Sequence, residues 1–203
     1  MCALKLLLSP LDIRVSLAES KVTMLKRIIL LTGPPGIGKT SVFRRTVREL
    51  KNRDCEVGGM VCREVREGGT RVGFELMDVS TGQRGWLAHI NQQTGPKIGK
   101  YTVNLTDLDV LGAGALLDSI KNADVIAVDE IGPMELLSTA FSEALVQAIE
   151  SNKPLLGTIH YKLSTPLVDH IKTRDDTEVL NVTYNNREEL QNLIADKISE
   201  CLI

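Results

Sequence analysis

The chain has 203 residues, 43% hydrophobic and 25% charged, enough to bury the core of one α/β domain and too few for two independent ones. Its 24 basic and 26 acidic side chains leave a formal net charge of −2, which argues against the broad positive field of extended nucleic-acid binding. No apolar run approaches the roughly 20 residues of a membrane span, and Cys2, Cys55, Cys62 and Cys201 form no metal- or redox-type pair, so a soluble, cytoplasmic protein with reduced thiols is expected.

Residues 1–23 carry no period, cap or chemical motif; Leu6-Leu7-Leu8 is too short for the core of a signal peptide. They read as an N-terminal extension of unclear role, ahead of a single domain over 24–203, and Met24 is an expected alternative start. Lys26–Leu31 is β-rich, and its apolar run Ile28–Leu31 leads into Gly33-Pro34-Pro35-Gly36-Ile37-Gly38-Lys39-Thr40. These residues match G-x-x-x-x-G-K-[ST], and a helical pattern from Thr40 to Lys51 completes the strand, loop and helix that the motif requires. The glycines let backbone N–H groups turn inward onto phosphates, Lys39 reaches the β and γ oxygens, and the Thr40 hydroxyl is placed to ligate Mg²⁺. Gly33 to Thr40, with Ser41, form the expected cradle for a nucleoside triphosphate.

Val57–Cys62 reads as the next strand, and Val72–Val79 and Arg84–Ile90, joined by a turn at Thr81-Gly82, as a hairpin-like insertion. Arg63, Arg66 and Arg71 cluster beside it. One of them could meet the γ-phosphate as an arginine finger, with Arg66 the candidate, against the ordinary alternative of a solvated basic loop. Tyr101–Leu105 is a short strand, and Thr106 with Asp109 suggests a capping box for a helix reaching Asn122.

Val125–Val128 has the continuous apolar character of a parallel strand covered on both faces, and it ends in Asp129-Glu130. Asp129 fits the second Mg²⁺-side acid, and Glu130 the group that holds the attacking water and takes its proton. Gly132 completes a D-x-x-G whose glycine N–H could meet the γ-phosphate, a turn being the alternative. A helix over Ser138–Ser151 follows. Asn152-Lys153-Pro154-Leu155 begins like the guanine-reading N-K-x-D element but has Leu155 in place of the acid, so guanine selectivity has no support.

Pro154–Ile159 reads as a buried strand, Pro166–Lys172 as a short helix and Val179–Val182 as the last core strand. His160 stands at a strand end, where open α/β sheets face their ligands, although a hydrogen-bonded structural histidine is the simpler reading; Trp86 reads as packing. No base-binding site can be read from the sequence. The last helix has Asn186 as its expected cap and Leu190, Leu193, Ile194, Ile198, Cys201 and Leu202 on one face, to pack against the sheet. Alternating strands and helices imply a parallel sheet.

Gly33–Thr40, Gly58-Gly59, Glu64-Val65-Arg66-Glu67-Gly68-Gly69, Arg71, Gly73-Phe74 and Asp129-Glu130-Ile131-Gly132-Pro133-Met134-Glu135 together resemble the cancer-related nucleoside-triphosphatase family of P-loop proteins. The resemblance runs from about Met24 to the C terminus. It implies a three-layer, RecA-like α/β fold with a mostly parallel sheet and a β-hairpin insertion. It also implies Mg²⁺-dependent hydrolysis of nucleoside triphosphates (ATP, GTP and others) with broad base tolerance. Two alternatives stay open: a nucleotide or nucleoside kinase, with residues Arg63–Arg84 as its lid, and a nucleotide-dependent switch whose protein partner is unknown.

Overall fold

A computed structural model describes residues 25–202; the extension at 1–23 and the Met24 start lie outside the described residues. In chain order the elements are β1 (Ile28–Thr32), α1 (Lys39–Asn52), β2 (Val57–Glu67), β3 (Thr70–Asp78), β4 (Arg84–His89), β5 (Lys97–Ile98), β6 (Tyr101–Val103) and α2 (Leu105–Asp107). Then come α3 (Gly114–Asn122), β7 (Val125–Ile131), α4 (Thr139–Glu150), β8 (Leu155–Ile159), α5 (Pro166–Thr173), β9 (Thr177–Asn181) and α6 (Leu190–Glu200). A single nine-stranded sheet runs β5-β6-β4-β3-β2-β7-β8-β1-β9. The half from β2 to β9 is parallel; β3, β4, β6 and β5 extend it antiparallel.

The apolar runs explain the three layers. Successive side chains of a strand point to opposite faces, so Ile28 and Leu30 of β1 join one core with Phe141, Leu145, Val168 and Ile171 of α4 and α5. Ile29 and Leu31 join the other, with Val42, Phe43 and Leu50 of α1 and Ile194 and Ile198 of α6. These four β1 side chains are fully buried, each contributing about 1.5–3 kcal/mol. Glycine closes the approach of β2 to β7: Gly59 has φ +117°, and a Cβ there would sit 2.0 Å from the Ala127 carbonyl oxygen.

Several boundaries depart from the sequence reading. β2 runs five residues past Cys62 and turns at Gly68-Gly69 into β3, so Arg63 and Arg66 are strand residues rather than loop residues. Cross-strand pairing of alternating polar side chains stabilises a strand that composition alone presents as a loop. The expected hairpin, β3 with β4, is thus extended by β2 on one side and by β6 and β5 on the other. The helix after β6 is capped by Asn104, whose side chain accepts from Asp107 N (3.2 Å), not by Thr106, and it passes through a π-helical turn at Leu108–Ala113 before α3. Asp109 instead accepts from the Ser138 hydroxyl. β9 lies two residues earlier at its start than expected, and Asn186 belongs to a turn, its side chain accepting from Thr183 N (2.8 Å). The buried face of α6 narrows to Leu190, Ile194, Ala195 and Ile198, with Leu193 47% and Leu202 39% exposed.

Candidate functional site

β1 delivers the chain to the loop at the carboxyl edge of the sheet. Ile37 is buried beneath the loop, its N–H donating to the Pro34 carbonyl (3.3 Å), while Pro35, Gly36, Gly38, Lys39, Thr40 and Ser41 line a cleft of about 890 Å³. Gly38 caps α1 in the left-handed region, φ +108°, with no side-chain hydrogen bond to the first turn. The first-turn N–H groups are thus left for an anion, at the helix end whose dipole favours one. Lys39 Nζ lies over the loop, donating to the Gly33 carbonyl (3.1 Å).

Asp129 stands on β7, and β8 is interposed between it and β1. Its Oδ1 accepts from Thr40 Oγ1 at 3.4 Å and from Thr158 Oγ1, on β8, at 2.6 Å. Burial raises the Asp129 carboxyl to about 6, the two threonine hydrogen bonds pulling against it. Glu130 follows across a cis peptide bond. Burial raises its carboxyl too, the Lys39 charge opposing, and its Oε1 is buried with no hydrogen-bond partner. His160, at the end of β8, also lines the cleft with an unpartnered buried Nδ1. Burial, then Lys39 and Lys162, hold its imidazole below the ordinary range. Gly132 lies against Glu135, whose Oε2 would be 2.7 Å from a Cβ on the glycine; burial lifts that carboxyl to about 8.

The structure therefore gathers Lys39, Thr40, Ser41, Asp129, Glu130, Gly132 and His160 around one cleft. It does not bring Arg66 there. Arg66 is bound to Glu64 and to the Gly69 carbonyl (2.8 Å) at the hairpin turn. Arg63 and Arg71 reach the cleft wall but are paired, Arg63 with Glu75 at 2.5 Å and Arg71 with Glu64 at 2.9 Å and the Tyr101 hydroxyl at 2.8 Å. Arg44 also lines the cleft, its guanidinium bonded to the Cys62 carbonyl (3.0 Å). The sequence reading missed it, although it lies one helical turn beyond Thr40 on the same face. Thr158 was missed as well; its signal is a lone hydroxyl in the otherwise apolar run Leu155–Ile159.

Trp86 packs edge-on against His89, centroids 4.5 Å apart. The N-K-x-D-like segment sits at the amino end of β8, with Lys153 bonded to the Ala123 carbonyl and Leu155 buried, so it is remote from the loop. Phe74, Leu87, Ile98 and Met134 add an apolar lobe to the cleft lining.

A phosphate loop after a parallel strand, with a strand interposed before the one that carries the facing acid, defines a P-loop nucleotide-binding protein of RecA-like α/β architecture. A family profile described as NTPase matches residues 28–195, and the chain belongs to that family. It is 44% identical to the nucleoside-triphosphatase THEP1 of Thermofilum pendens over 87% of this chain and 97% of that one. It is 42% identical to THEP1 of Methanosarcina barkeri over 85% and 97%. Among solved structures it matches a human cancer-related nucleoside triphosphatase with TM-score 0.72 at 36% identity, over 86% of this chain and 98% of that one. THEP1 of Aquifex aeolicus matches with TM-score 0.73 at 28% identity, over 82% and 96%.

Proposed function

We propose that the protein is a Mg²⁺-dependent nucleoside-triphosphatase of the cytoplasm, hydrolysing ATP, GTP and other nucleoside triphosphates to diphosphate and phosphate. The observation that carries this reading is Glu130: a carboxylate oxygen, buried without a partner, in the same cleft as the phosphate loop and Lys39. An unsatisfied buried acceptor is unfavourable unless a ligand or water meets it. Among the described residues no helix is long and apolar enough to cross a membrane.

In this reading Glu130 holds a water in line with the γ-phosphorus. The water oxygen bonds to phosphorus as the bond to the β-side oxygen breaks, and the water's proton passes to Glu130. Lys39 exchanges the Gly33 carbonyl for phosphate oxygens, and Arg44 supplies a cation to the transferring group. Thr40 and Asp129 offer two converging hard oxygens, a set that suits Mg²⁺, with phosphate oxygens and water completing the shell. Bound there, the ion would neutralise charge on the β and γ oxygens. Thr158 keeps the Asp129 carboxylate aimed at that position.

Glu130→Gln is expected to lower turnover of ATP and GTP by about 10²–10⁴-fold with nucleotide binding retained; phosphate release at the parent rate would remove Glu130 as the base. The apolar lobe favours a second reading, in which an acceptor hydroxyl replaces water. Incubation with ATP and a panel of nucleosides and monophosphates, read by mass spectrometry, separates the two, since hydrolysis gives diphosphate and free phosphate with no phosphorylated acceptor.

A further inference from the structure

We propose that the turn after β9 carries the base subsite, with Tyr184 and Arg187 forming a stacking platform that accepts a purine or pyrimidine without discriminating among them. The proposal rests on the reading of the phosphate loop as a nucleotide cradle and goes beyond it by locating the nucleoside end. The sheet order decides the direction. Asp129, Glu130, Thr158 and His160 belong to β7 and β8 or the end of β8, on one side of β1, whereas β9 pairs with β1 on its other side. A triphosphate laid along the loop with its γ-phosphate at Glu130 therefore points its sugar and base toward the segment that leaves β9.

That segment touches the loop at both ends. Val182 N donates to the Thr32 carbonyl at 2.8 Å, and the Val182 carbonyl would lie 3.0 Å from a Cβ on Gly33. Five residues later, Arg187 Cδ and Nη1 would lie 3.7 and 3.9 Å from a Cβ on Gly38. The turn is held in place: Arg45 of α1 donates to Glu188 at 2.5 Å and to the Arg187 carbonyl at 2.8 Å, and Asn186 Nδ2 donates to the Asn181 carbonyl at 2.9 Å.

On this fixed turn the Arg187 guanidinium lies 5.0 Å from the centroid of the Tyr184 ring. Tyr184 is 70% exposed, so packing does not account for it. Arg187 Nε, 3.4 Å from Glu188 Oε1, is buried without a hydrogen-bond partner. An aromatic ring and a guanidinium plane both stack on the π face that every base shares. Recognition by stacking is indifferent to the base edge.

The test compares nucleotides with a phosphate-only probe on the full chain with Mg²⁺: equilibrium binding of ADP, GDP, CDP and UDP, and of inorganic pyrophosphate. Tyr184→Ala should weaken all four nucleotides to a similar extent, roughly tenfold, leave pyrophosphate unchanged, and be restored by Tyr184→Phe. Equal weakening of pyrophosphate, unchanged nucleotide binding, or loss confined to one base would each overturn the platform. The hydrolysis reading fails separately: a parent chain that binds diphosphates in this Tyr184-dependent way yet releases no phosphate from triphosphates keeps the platform and loses the enzyme.

Discussion

Glu135 shows how far one buried carboxyl can set the behaviour of the molecule. It is 5% exposed, and burial holds its folded-state pKa at about 8, above an ordinary glutamate. Because the folded pKa is raised, the folded state binds the proton more tightly than the unfolded one. Its contribution is fully present below the unfolded pKa and is lost as pH rises through about 8. The urea midpoint should therefore fall between about pH 5 and pH 8.5, and Glu135→Gln should flatten that fall. Parallel slopes for parent and variant would show that Glu135 does not titrate in this window. Lys39, Thr40, Asp129 and Glu130 were legible in the sequence because each sits in a contiguous motif whose chemistry is local. Thr158 was not, since its role comes from β8 lying between β1 and β7, an ordering that no local pattern encodes.

Elements, rather than single residues, decide which arginine lies beside the phosphate loop. The sequence cluster points to Arg66, but β2 continues to Glu67 and carries it to the hairpin turn, where its side chain is 57% exposed and pairs with Glu64. Helix α1 instead presents Arg44 one turn after Thr40, on the cleft. Arg66→Ala should leave turnover within about twofold and cost under about 1 kcal/mol, the range of a surface ion pair. Arg44→Ala should lower kcat by about 10²-fold or more, as loss of a cation at a transferring phosphoryl group does. The opposite ranking in steady-state phosphate release would return the finger to the hairpin. The contact of β2 with β7 is equally exacting: Gly59→Ala adds a Cβ 2.0 Å from the Ala127 carbonyl, at a φ of +117°. It should destabilise by more than about 3 kcal/mol in denaturant titration. The paired glycines were visible in the sequence; the neighbour that forbids a side chain was visible only once the strands were paired.

Across the whole molecule, the alternation of strands and helices fixed an α/β class in advance, whereas the join between the parallel and antiparallel halves depends on long-range pairing of β2 with β7 and β3. That join makes stability and ligand binding one quantity. The candidate site draws on β1, β7 and β8, and Phe74 of β3 and Leu87 of β4 line the same cleft, so the site and its wall belong to both halves of a continuous sheet. A ligand that binds only the folded state stabilises it by about 2.7 kcal/mol at a hundred times its Kd. For a chain of this size that amounts to a rise in Tm of roughly 5–10 °C. Calorimetry should show one transition that moves upward as a whole with Mg²⁺ and ADP, and most of that shift should vanish with EDTA, because Thr40 and Asp129, the proposed Mg²⁺ ligands, would then lose the ion that joins them to the phosphates. Two transitions, of which ADP moves only one, would mean that the antiparallel half unfolds independently of the site it walls. A shift untouched by EDTA would mean that the loop and Lys39 hold the phosphates without a metal.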